Sequence, residues 1–145
     1  MQPFFILFYP EVKRTMDDRI LMAQYKARGM CCAQIIVQLG LDLRGEQNET
    51  MVQAVSALCG GMRKGLLCGA LSGAALMLSL FDPKLAASEM IPELVDWFSD
   101  EFGSENCLEI LDGDMANRTI KCGGLIEKTY FYAKGLLEDY GLLAE

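Results

Sequence analysis

The sequence predicts an all-α protein, a single-domain bundle of about six helices. Three observations carry that expectation. No stretch alternates apolar and polar residues long enough to make a strand, apolar positions recur at helical spacing, and glycines or Asp-Pro cut that pattern into helix-length segments. The 145 residues suffice for one domain with a sizeable core, and 52% hydrophobic against 23% charged residues excludes a disordered chain.

Residues 1–14 begin with MQPFFILFYP, an apolar arm too short to cross a membrane. The arm has no basic start and no small-residue cleavage site, so it does not read as a secretory signal. It is expected to pack on a second subunit, to be a poorly ordered extension, or to cover the chain's own core. The helical domain occupies 15–145. Its first helix runs from about Met16 to Arg28, with Thr15 as cap and Asp18 three residues on, and stops at Gly29. A second covers Cys31 to Leu39 and ends at Gly40. A third starts near Asn48, carries Met51, Val52, Val55 and Leu58, and breaks at Gly60-Gly61.

The fourth helix, Leu66 to Leu80, lies within the uncharged run Gly65–Phe81. Its glycines and serines mark a tightly packed core helix rather than a membrane span. Gly69 and Gly73 are four apart, as are Ala70 and Ala74, so this helix lets a second backbone approach and belongs at the bundle's centre. Asp82 caps and Pro83 opens a fifth helix reaching about Phe102, with Leu85, Met90, Leu94 and Phe98 among its apolar positions. After a loop around Asp112-Gly113-Asp114, the last helix presents Cys122, Leu125, Ile126, Tyr130, Ala133 and Leu137 on one side.

Charge and composition narrow the chemistry. Thirteen basic residues against 20 acidic ones leave a net charge of −7, and such a surface repels phosphate backbones, which argues against a nucleic-acid partner. The chain has no histidine, so serine–histidine triads, histidine-ligated metals and an imidazole general base are all excluded. There is no dinucleotide or phosphate-loop fingerprint. Asp112 and Asp114 make no calcium loop, and Glu93 and Asp96 lack the histidine that usually completes a carboxylate metal site in a bundle. Chemistry is left to thiols or a bound cofactor.

The cysteines are Cys31, Cys32, Cys59, Cys68, Cys107 and Cys122. Without a secretory signal the protein reads as soluble and cytoplasmic, where permanent disulfides are not expected and redox or metal-binding thiols are. No C-x-x-C pair occurs, so neither a thioredoxin motif nor a standard zinc-ribbon or ferredoxin signature is present. Cys68 falls near the start of the fourth helix, whose amides would lower its pKa. Cys122 lies on an apolar helix face, and Cys107 precedes the loop leading there. Adjacent Cys31 and Cys32 would diverge by about 100° on a helix, so only one is expected at a shared site.

The segments Gly29-Met-Cys-Cys-Ala-Gln-Ile, Gly60-Gly-Met-Arg-Lys-Gly-Leu-Leu-Cys-Gly-Ala-Leu-Ser-Gly-Ala, Cys107-Leu-Glu-Ile-Leu and Lys121-Cys-Gly resemble the C_GCAxxG_C_C family. Its members are small helical domains described as redox-active, and the resemblance runs from about Met16 to Tyr140. It implies that Cys32, Cys68, Cys107 and Cys122 are the pattern cysteines, with Cys31 and Cys59 as extras. Leu67 stands where the family name has glycine, and Gly69 separates Cys68 from Ala70.

Two versions of a redox function then follow. The four pattern cysteines converge to hold an iron–sulfur cluster, or they cycle between dithiol and disulfide with Cys68 and Cys32 as catalytic thiols, Cys68 attacking. A structural zinc–thiolate site is one alternative, and a helical protein-binding module with inert core cysteines is another. The expected partners are a redox partner protein and a second copy of the chain in a homodimer, with no membrane.

Overall fold

The computed structural model describes residues 17–143, so the arm at 1–14 and the expected cap Thr15 lie outside the described residues. Within them the chain is all-α with no strand, the class the sequence predicts, and has seven α-helices of four residues or more where about six are expected. Helix α1 spans Asp18–Ala27, and its cap is Asp17, whose carboxylate accepts from the Arg19 amide at 2.7 Å. The start therefore falls two residues beyond the Thr15 reading, because an aspartate at the end of extended backbone is the nearer acceptor for the first free amides.

Helix α2, Cys32–Arg44, does not stop at Gly40. Gly40 is a packing residue, since a Cβ there would lie 2.9 Å from Met77 Cγ, and the helix continues to Gly45 at φ +69. Helix α3, Glu49–Val55, is capped by Asn48, which accepts from the Met51 amide at 3.0 Å. A 3₁₀ turn, Ser56–Leu58, carries it to Cys59.

The next residues form a tight loop. Gly60, Gly61, Met62 and Arg63 all have positive φ, a left-handed turn that two non-glycine residues enter at a cost in backbone energy. Helix α4, Gly69–Phe81, follows with Cys68 as N-cap. Asp82 accepts from the Leu85 amide at 3.0 Å, Pro83 opens the turns that follow, and α5, Ile91–Phe102, continues from them and ends at Gly103. Cys107 does not precede a plain loop. It opens a short helix α6, Cys107–Ile110, capped by Asn106, which accepts from Glu109. Four residues are too few for a helical period to register in the sequence. Helix α7, Arg118–Asp139, closes the chain.

Helix α4 sits at the centre, packed on α2, α7 and α5. Met77 and Leu78 of α4 pack with Ile36 and Leu39 of α2, Leu94 and Phe98 of α5, and Tyr130 and Leu137 of α7, all buried. Polar contacts fasten α1 to its neighbours. The Tyr25 hydroxyl donates to buried Asp42, and Asp18 accepts from Tyr130 at 3.0 Å and Lys134 at 2.7 Å. No helix among the described residues is long and apolar enough to cross a membrane.

Gly73 explains how close α2 and α4 come. A Cβ on Gly73 would stand 2.9 Å from Ala33 Cα and 3.0 Å from its carbonyl oxygen, and backbone atoms cannot step aside as a side chain can. Gly73→Ala should therefore destabilise the fold by about 1–2 kcal/mol, overpacking outweighing alanine's better helix propensity. Gly135, in helix α7 with nothing within 4 Å of its would-be Cβ, is the control. Gly135→Ala should stabilise by about 0.5–1 kcal/mol. Urea denaturation of both variants checks the opposite signs.

Candidate functional site

Three helix N-termini and one helix flank meet at a single cavity. Cys31 is the N-cap of α2 and Cys32 its first residue; Cys68 caps α4; Cys107 begins α6; Cys122 lies in the second turn of α7. With Cys59 at the end of its 3₁₀ turn, all six cysteines line this cavity of about 390 Å³. The expected divergence of Cys31 from Cys32 does not arise. Cys31 has extended backbone (φ −92, ψ 175) and stands outside the helix, where the turn angle does not apply.

Backbone contacts set the spacing of the sulfurs. The Cys68 amide donates to the Glu105 carbonyl at 2.8 Å, and the Cys107 amide donates to the Leu66 carbonyl at 2.5 Å. This short antiparallel bridge clips the start of α4 to the start of α6, so Cys68 and Cys107 face the cavity together. Gly69 lets Cys32 in from the other side. A Cβ at Gly69 would lie 2.6 Å from Cys32 Sγ and 2.9 Å from the Leu58 carbonyl, so only glycine fits between Cys68 and Ala70. Gly61, at φ +63, is held as tightly against Leu66 and Cys107.

Cys31 and Cys59 form a disulfide, with Cα atoms 6.1 Å apart. A disulfide is present where the sequence reading expects none, and it joins the two cysteines that lie outside the family pattern. Ala33, Val37 and Leu41 of α2 pack against Val52, Val55 and Cys59, and that hairpin of helices brings Cys59 back to the Cys31 cap. Cys32, Cys68, Cys107 and Cys122 are free thiols. Cys68 and Cys107 are buried, while Cys32 and Cys122 are partly exposed.

Electrostatics keep these thiols protonated. Burial pushes Cys68 up to about 12, helped by charge on Cys32 and Cys107 and opposed by the Leu71 and Ala70 amides. The helix N-terminus therefore acts in the expected direction on Cys68, but desolvation outweighs it. Burial also raises Cys32, against amides of Gly60 and Ala33 directed at its sulfur. It raises Cys107 and Cys122 as well, and charge on Cys32 adds to both. Cys32 thus couples to each of the other three. The Arg118 guanidinium opposes the rise at Cys32, Cys107 and Cys122, and Lys26 opposes it at Cys122.

Among the described residues no three Cys, Asp or Glu side chains stand as a group able to hold one metal ion. A single zinc ion, which needs sulfurs close around one point, is not matched by this arrangement. The family model described as "Putative redox-active protein (C_GCAxxG_C_C)" matches residues 30–136. The chain belongs to the C_GCAxxG_C_C family. No curated protein and no solved structure matches it. Within the family match lie all six cysteines, and the cavity gathers both the pattern cysteines and the two set aside as extras. Lys26, Arg63 and Arg118 also line the cavity and escape a sequence reading centred on thiols. Only Arg118 leaves a signal there, four residues before Cys122 and so on the same helix face.

Proposed function

We propose that this C_GCAxxG_C_C protein is a thiol–disulfide redox protein, in which an electron pair moves between the cavity's cysteines and an external thiol or disulfide. One observation carries the reading: six cysteines share one cavity, and two of them already form a disulfide in its wall. Cys32 supports a relay, being the neighbour of Cys31 in sequence and electrostatically coupled to Cys68, Cys107 and Cys122. In each exchange a thiolate attacks a disulfide sulfur, one S–S bond forms as another breaks, and one thiolate replaces another. Half-exposed Cys122, beside Lys26 and Arg118, serves as the outward thiol, and buried Cys68 as an inner one.

Equilibration of the native chain in dithiothreitol buffers of graded potential, followed by acid quench, alkylation and mass analysis, tests this. A two-electron transition is expected between a form with four alkylated cysteines and one with six. If Cys31–Cys59 yields only after denaturation and the four thiols exchange with no disulfide, the cysteines are structural and the reading fails.

The donor set favours a second reading. Four thiols on one cavity match an iron–sulfur cluster in kind and number, so Cys32, Cys68, Cys107 and Cys122 would be its ligands. Such a cluster supplies one-electron transfer. Charge-transfer bands and stoichiometric iron in anaerobically purified protein would select it, and a colourless iron-free protein would leave the dithiol reading.

A further inference from the structure

We propose that the thiol cavity takes a small carboxylate-bearing thiol or its disulfide, held by Lys26 and Arg118. This rests on the thiol–disulfide reading and adds the class of substrate. The protein carries −7 overall, yet Lys26, Arg63 and Arg118 line this cavity and no aspartate or glutamate does. Arg63 is occupied, donating to the Ser56 carbonyl at 2.9 Å. The ion pairs of the described residues engage Arg19, Arg44, Lys121, Lys128 and Lys134, and none engages Lys26 or Arg118. Both are exposed, and the Lys26 ammonium lies 3.7 Å from where a Cβ on Gly123 would stand, beside Cys122.

Cations line this cavity and no carboxylate stands among its lining residues to neutralise them. The opening is then locally positive on an acidic protein. Salt screens charges that lie more than about 8–10 Å away, so a small anion inside the cavity feels mainly the cations that line it. A cavity of about 390 Å³ suits a small molecule rather than a protein segment.

Two disulfide probes of similar reactivity and opposite electrostatics decide the matter: 5,5′-dithiobis(2-nitrobenzoate), which bears two carboxylates, and neutral 4,4′-dithiodipyridine. With either, a cavity thiolate attacks the probe's S–S bond and expels one thiolate. A second cavity thiol then displaces the other. Two protein thiols lose two protons and two electrons, and one disulfide becomes two thiols. Pre-reduced full-length protein is compared with a Lys26→Gln/Arg118→Gln variant whose circular dichroism is unchanged. The double variant should slow both probes, because Lys26 and Arg118 also favour the cavity thiolates, but should slow the anionic probe about tenfold more than the neutral one, and added salt should slow the anionic reaction of the unmodified protein the more. Equal slowing of both probes would mean that the cations act only on the protein's own thiolates, which overturns the substrate class and leaves the redox reading standing. No reaction of the unmodified protein with either probe overturns the redox reading itself.

Discussion

Reduction of Cys31–Cys59 should lower the unfolding free energy by about 3–4 kcal/mol and the melting temperature by about 10 °C. The two cysteines are 28 residues apart, and closing a loop of that size removes the corresponding chain entropy from the unfolded state. The staple matters because the contacts beneath it are few. Ala33, Val37, Leu41, Val52, Val55 and Cys59 form a cluster separate from the main core, and it joins α3 to α2 together with one hydrogen bond, from the Gln34 side chain to the Val52 carbonyl at 3.0 Å. Guanidinium denaturation of the oxidised and reduced full chain gives the difference. A Cys31→Ser/Cys59→Ser variant should match the reduced protein, and a variant as stable as the oxidised one would show that packing holds the hairpin unaided. The same energy bears on the redox reading. If folding favours the disulfide by that amount, the folded pair must be about 75 mV harder to reduce than the same pair in an unfolded chain. A stabilising staple and a low-potential electron store are two descriptions of one thermodynamic cycle.

How much of this was legible in the sequence depended on how local each cause is. Asp82-Pro83, Asn48 and the Gly60-Gly61 break act within one turn, and the elements they bound stand where the spacing predicts. Gly40 misleads because a glycine that ends a helix and one that admits Met77 are the same letter, and only the neighbouring helix tells them apart. Cys32, Cys68, Cys107 and Cys122, the four that the family resemblance singles out, line one cavity. The pairing of Cys31 with Cys59 was not legible, because it depends on how α3 folds back over α2. The pKa of Cys68 shows the same division. Its place at a helix start is local and readable, but the burial that outweighs it comes from its packing in the main core, which no single segment reveals.

Alkaline pH should strip stability from the reduced protein through Cys68. An ionised thiol costs more in the folded than in the unfolded chain, so the folded pKa, about 12, lies above the ordinary 9.0. The associated stability is fully present below pH 9, falls by about 1.4 kcal/mol per pH unit above it, and reaches a loss of about 4 kcal/mol near pH 12. Cys32, Cys107 and Cys122 shift in the same direction and add to the slope. Tyr130, raised by burial and by Asp18, contributes only above its ordinary value of 10.0, so the interval from pH 9 to 10 belongs to the thiols. Urea denaturation under reducing conditions at pH 8, 9 and 10 measures that slope. Cys68→Ala should remove Cys68's share of it while costing a small packing penalty at pH 7. A variant with the parent's full alkaline slope would mean that burial does not hold Cys68 neutral. Oxidation provides the link to function: a disulfide sulfur has no proton to lose, so any oxidised form that includes Cys68 should show the same flattened profile as the alanine variant. The pH dependence of stability in each redox state therefore reports which cysteines the oxidant has joined.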